Sequence, residues 1–163
     1  LKRHKMGALA ALQFPTAESF APKTTFVDEN GNSHSLNDYK GKVLVVNLWA
    51  TWCPPCIREM PSLGRLANNY KNGDLKVIAI SADKKADTAK AQEKLKELSG
   101  GALEFYHDPD MGLPSELKVT GFPTTIIYDQ NGKEVARLMS TTEWDSVDAR
   151  SLLDDVIKYG AKK

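Results

Sequence analysis

Cysteine is scarce in this chain: among 163 residues only Cys53 and Cys56 occur. With no second pair to cross-link the fold, both must serve whatever site they form. Long apolar runs are missing too. Nothing approaches the roughly 20 consecutive apolar residues that cross a bilayer as a helix. Charge of one sign is likewise lacking: the formal net charge is +1, which gives no field for gripping nucleic acid, so no nucleic-acid partner is expected. The three histidines, His4, His34 and His107, stand far apart in sequence. A structural zinc site needs four ligands, and neither further cysteines nor clustered imidazoles exist to supply them, so no metal is expected. Repeats and low-complexity tracts are absent.

The chain that remains has the composition of an ordinary soluble domain, 41% hydrophobic and 26% charged, with a length that suits one core. Residues 1–22 mix a basic cluster with a short apolar run and read as an N-terminal tail or linker, leaving 23–163 as the domain. Because the chain opens on Leu1 rather than Met, an export signal or membrane anchor is expected upstream of this fragment. Thr24 to Asp28 and Ser33 to Leu36, separated by Glu29-Asn30-Gly31-Asn32, read as a β-hairpin. Val43 to Leu48 is an almost unbroken apolar run, the pattern of a strand covered on both faces. From Pro54 to Tyr70 the apolar residues recur at three and four, one face of a helix, and Pro61 inside it predicts a kink near Ile57 to Pro61. Leu75 to Ile80 reads as a strand, Asp83 or Lys84 to Leu98 as a helix stopped by Gly100-Gly101, and Leu103 to His107 as a strand. A short helix within Asp110 to Val119, a hairpin over Thr124 to Leu138, and a last helix from Trp144 to Tyr159 complete the order; Val147, Leu152, Leu153, Val156 and Ile157 are expected to face inward. The fold class is α/β: a central mixed sheet flanked by helices, with an N-terminal hairpin and an inserted segment.

Cys53 follows the central strand and stands where the next helix begins. Pro54 and Pro55 suit a first helical turn, whose amides have no intrahelical partner to lose. The remaining free amides and the positive end of the helix dipole favour a thiolate at Cys53, which is expected to be open to solvent. Cys56, one turn deeper, lies within bonding reach but is more shielded. That arrangement divides the work: Cys53 attacks a substrate disulfide, and Cys56 attacks the mixed disulfide and releases reduced substrate.

Trp49-Ala50-Thr51-Trp52-Cys53-Pro54-Pro55-Cys56, Glu59-Met60-Pro61 and Gly121-Phe122-Pro123-Thr124 together resemble the thioredoxin superfamily, most of all the bacterial TlpA/ResA/CcmG group, over about residues 20 to 160. The resemblance implies a thioredoxin-like fold and a cis peptide at Pro123 facing the dithiol. It makes Trp52, Pro54, Pro55, Phe122 and Pro123 substrate-contact candidates. Asn47 stands where thioredoxin carries a buried aspartate. Glu59 resembles a glutamate found near the dithiol in the TlpA/ResA/CcmG group; partly buried, it could take the proton from Cys56, and the competing reading is a solvated carboxylate beside Arg58. Trp49 is expected in the core and Trp52 on an apolar rim.

By the same resemblance, the function implied is disulfide reduction in the bacterial envelope or periplasm, serving cytochrome c maturation or copper-site assembly. The implied clients are proteins with cysteine pairs, apocytochrome c or copper-site proteins. The implied electron donor is a membrane protein of DsbD/CcdA type, and no cofactor is expected beyond the redox-active Cys53–Cys56 disulfide. Two other readings stay open. Ser35 to Lys42 also resembles the start of peroxiredoxins, which makes a thiol peroxidase an alternative, although those enzymes place Thr where this chain has Ala50. A copper-binding module using the two thiolates is the other.

Overall fold

The structure, a computed structural model, describes residues 1–71 and 73–160; the last three residues of the span expected to be one domain, 161–163, lie outside it. Seven strands form one mixed sheet: β1 (Thr25–Asp28), β2 (Ser33–Ser35), β3 (Val43–Trp49), β4 (Leu75–Ser81), β5 (Tyr106–His107), β6 (Thr124–Tyr128) and β7 (Glu134–Leu138). Their spatial order is β2-β1-β5-β4-β3-β6-β7. β3 runs parallel to β4, Val43 opposite Leu75 through Trp49 opposite Ser81, and antiparallel to β6. The uninterrupted apolar sequence of β3 is explained by this place: every residue from Val43 to Trp49 is buried.

Side chains alternate along a strand, so β3 feeds two cores. Val43, Val45 and Trp49 enter the larger one, with Leu63 and Leu66 of α1 (Pro54–Asn69), Ala91 and Leu95 of α2 (Thr88–Ser99), and Leu152, Leu153 and Val156 of α4 (Val147–Tyr159). Leu44, Val46 and Leu48 enter the smaller one, with Leu36 from the helical turn Leu36–Tyr39 after β2 and Leu113 of α3 (Gly112–Glu116). Among the described residues, three helices thus cover one face, and the short α3 with the turn after β2 covers the other.

Several local expectations are corrected. The segment 1–22, expected as a tail, is packed on the domain: Leu9 and Leu12 are buried in the larger core. Further along, Gln13 exchanges backbone hydrogen bonds with Arg137 (2.8 and 2.9 Å), while Ala21 N–H donates to Gly132 O and Glu134 N–H to Ser19 O. β7 is the sheet's edge, and this segment caps its unpaired backbone groups, which would otherwise invite pairing with another chain. The helix expected from Asp83 or Lys84 begins at Thr88, because Asp83 is used elsewhere, and it ends as expected at Gly100, left-handed with φ 62°. β5 is only two residues long. Trp144 is buried but precedes α4, whose cap is Ser146, its Oγ accepting from Ala149 N–H. Val147 therefore opens the first turn and is 72% exposed rather than inward.

Candidate functional site

β3 ends at Trp49, three loop residues follow, and Cys53 caps α1. Cys53 and Cys56 form a disulfide with Cα atoms 5.3 Å apart. Cys53 Sγ accepts from Cys56 N–H at 3.3 Å, a contact that favours the thiolate once the bond is reduced. Cys53 is 5% and Cys56 0% exposed. Cys53 is the outer of the two, as expected, but it is far less open than expected, because its sulfur is bonded inward to Cys56.

The loop that aims Cys53 is held by a residue the sequence did not single out. Thr51 donates to the buried Asp83 carboxylate from its amide (3.1 Å) and its hydroxyl (2.6 Å), and Ser81 Oγ donates to the same carboxylate at 2.6 Å. His107 Nε2 is bonded to the Asp83 carbonyl at 2.7 Å. In the sequence Asp83 reads as an ordinary helix-start residue, and nothing local announces that it ties the end of β4 to the loop before the dithiol.

Glu59 lies three residues past Cys56 and is 2% exposed. This excludes the solvated carboxylate beside Arg58. Three donors meet it: Asn47 Nδ2 on Oε1 at 3.0 Å, and Thr142 N–H and Trp144 Nε1 on Oε2 at 3.1 and 3.0 Å. Burial disfavours the charged carboxylate, the three donors favour it, and burial wins, so the proton affinity rises to a pKa of about 7. Asn47 was noticed only as a departure from thioredoxin; in the fold it is fully buried and bonded to Glu59. Thr142 and Trp144 were missed as site residues. They reach Glu59 from more than 80 positions away in sequence, a separation that no local pattern encodes.

The Phe122–Pro123 peptide is cis. Trp52, 63% exposed, meets the edge of Phe122 with ring centroids 5.7 Å apart, which brings the residue before Cys53 and the residue before Pro123 to one apolar rim. Phe122 also packs against the cluster that contains both cysteines. Trp49 is in the core. Pro54 is exposed and Pro55 partly so, beside that rim. Ala50, where a peroxiredoxin-like site would need a hydroxyl, is buried.

A dithiol at the join of a central strand and a helix, beside a cis proline, defines the class of thioredoxin-fold redox proteins. Comparison with known proteins agrees. The Redoxin family model matches residues 16–155. A thiol-disulfide oxidoreductase ResA of Geobacillus kaustophilus is 33% identical over 124 residues, 76% of this chain and 69% of that protein. Two solved structures superpose well. A putative thiol:disulfide interchange protein DsbE of Chlorobium tepidum has TM-score 0.71 and 25% identity, covering 86% of this chain and 94% of its own. The thioredoxin domain of a thiol-disulfide oxidoreductase of Bacteroides vulgatus has TM-score 0.70 and 27% identity, covering 85% and 96%. The chain belongs to the Redoxin family, as a thiol–disulfide oxidoreductase of the ResA/CcmG/TlpA type within the thioredoxin superfamily.

Proposed function

We propose that the protein reduces disulfides of client proteins in the bacterial envelope, with Cys53 as nucleophile, Cys56 as resolving thiol and Glu59 as the acceptor of the Cys56 proton. The clients are proteins with cysteine pairs, apocytochrome c or copper-site proteins, and a membrane donor of DsbD/CcdA type returns the electrons. The observation that carries this reading is Glu59: a buried carboxylate one helical turn from the inner sulfur, its pKa raised to about 7, can gain and lose a proton at neutral pH. Exchange then runs in two balanced steps. The Cys53 thiolate attacks a client disulfide and expels one client thiolate. Cys56, losing its proton to Glu59, attacks Cys53 Sγ and expels the second, so the client gains two electrons and the protein ends as the disulfide. Trp52, Pro54, Pro55, Phe122 and Pro123 supply the docking rim, the backbone beside Pro123 pairing with an extended client segment in the manner of an added strand. No helix among the described residues is long and apolar enough to cross a membrane.

The test is Cys56→Ser. Release then fails, and Cys53 accumulates in mixed disulfides that mass spectrometry of envelope extracts identifies as cysteine-pair proteins. Adducts confined to small thiols, or adducts on position 56 in Cys53→Ser, would overturn the assignment.

A further inference from the structure

The two oxygens of Glu59 have unlike partners. Oε2 accepts from Trp144 Nε1–H at 3.0 Å and Thr142 N–H at 3.1 Å, groups that can only donate. Oε1 meets the Asn47 amide NH2 at 3.0 Å, and the same NH2 donates to Thr125 Oγ1 at 3.0 Å. Asn47 Oδ1, in contrast, is buried with no hydrogen-bond partner among the described residues. A buried acceptor left unpaired is costly, and here it belongs to a group whose sign reverses on a half-turn. Turning the amide exchanges two N–H donors for one oxygen with two lone pairs, in almost the same shape.

We propose that Asn47 is a positioning residue that turns its amide when Glu59 takes up a proton, its NH2 serving the ionised carboxylate and its Oδ1 accepting from Oε1–H of the acid, while Trp144 holds Oε2 in both states. A proton on Oε2 would point at the hydrogens of Trp144 and Thr142, so it resides on Oε1. There the unturned NH2 would oppose it, whereas the turned Oδ1 accepts both Oε1–H and the rotatable Thr125 hydroxyl. Two hydrogen bonds are made in either state, and the turn exchanges Oδ1 for the NH2 on the side that has no partner. The indole cannot follow the change, because Trp144 N–H donates to Ser62 Oγ at 3.0 Å and Ser62 in turn donates to the Glu59 carbonyl at 2.7 Å. The titratable group acting on Glu59 is Glu143, from the loop before α4, whose charge adds to its proton affinity; the cysteine pair is joined as a disulfide and carries no titratable proton. Only an O–H bond forms at Glu59, and no electrons move there.

The role of this turn in catalysis rests on Glu59 as the Cys56 proton acceptor; the location of the proton does not. The experiment is an NMR titration of the Glu59 side-chain carboxyl carbon in the full, disulfide-bonded chain, with the Asn47 side-chain amide followed in parallel. Trp144→Phe removes a donor whose bond to the ionised carboxylate is stronger than its bond to the neutral acid, so the midpoint rises by about one pH unit. Asn47→Leu removes a partner of both forms, so the midpoint moves by less than half as much. In the wild type the Asn47 NH2 resonances move with the Glu59 midpoint. An upward shift in Asn47→Leu as large as that in Trp144→Phe overturns the proposal, as do amide resonances indifferent to Glu59's titration. That last measurement needs no variant to fold. If these results hold while Glu59→Gln leaves disulfide exchange unchanged, the amide turn stands and the proton-acceptor reading of Glu59 falls.

Discussion

Glu59 is the residue at which stability and chemistry pull apart. Its folded pKa of about 7 lies above the ordinary 4.5, so the folded protein binds this proton more tightly than the unfolded chain. Stability from this group is complete below pH 4.5 and is lost as pH rises through 7, a difference of about 3 kcal/mol by linkage. Glu59→Gln imitates the protonated acid, its NH2 taking the place of Oε1–H. Urea unfolding of the oxidised variant should therefore lack this decline between pH 5 and pH 8, and the variant should exceed the wild type at pH 8. An equal pH dependence in both proteins would show that Glu59 does not titrate in that window. Trp52 sits at the opposite extreme, 63% exposed against Phe122. Trp52→Ala should leave thermal unfolding almost unchanged while raising KM for a protein disulfide several-fold, as measured by steady-state exchange. A wild-type KM would remove Trp52 from the docking rim. The residue types at both places were legible in the sequence, because Cys-x-x-Cys and the Glu that follows it lie within one helix. The partners of Glu59 were not, since Thr142 and Trp144 come to it only when the last loop folds over α1.

Among the elements, α1 and α2 are in close contact at Gly64. A Cβ there would stand 2.8 Å from the Ser99 carbonyl oxygen, at the end of α2, and backbone cannot step aside as a flexible side chain can. Gly64→Ala, which in an exposed helix would stabilise, should instead cost about 1–3 kcal/mol, measured by denaturant unfolding. A neutral or stabilising result would mean that the two helices do not meet as described. The central strand β3 and α1 could be read directly, because Val43 to Leu48 is an almost unbroken apolar run and the apolar residues of Ile57 to Leu66 recur at three and four. The start of α2 could not: Asp83 has the chemistry of a helix cap, and only the fold shows that its carboxylate is committed to Thr51 and Ser81. The same limit applies to Val147, whose spacing suits an inward face but whose position in the first turn, just after the Ser146 cap, leaves it in solvent.

At the scale of the whole molecule, residues 1–22 change what the domain is. Irregular backbone has no period to reveal burial, so Leu9 and Leu12 looked like part of a tail; they fill the larger core, and the chain between them and β1 seals the β7 edge. His4 Nε2 and the guanidinium of Arg3 both bond Asp155 of α4, which pins the start of the segment to the last helix. Leu12→Ala should cost about 2–5 kcal/mol, as expected for a buried leucine, and a loss near zero would return the segment to the status of a tail. Leu9 and Leu12 join the same core cluster as the two cysteines, and the Trp52–Phe122 pair remains an exposed apolar feature beside Cys53. The central claim is that this architecture makes two identical thiols unequal, the outer one reactive and the inner one shielded until Glu59 takes its proton. The most direct measurement is the alkylation rate of each sulfur in the reduced native protein at neutral pH, resolved by peptide mass spectrometry. Cys53 is expected to be modified many times faster than Cys56; equal rates, or faster reaction at Cys56, would contradict the account.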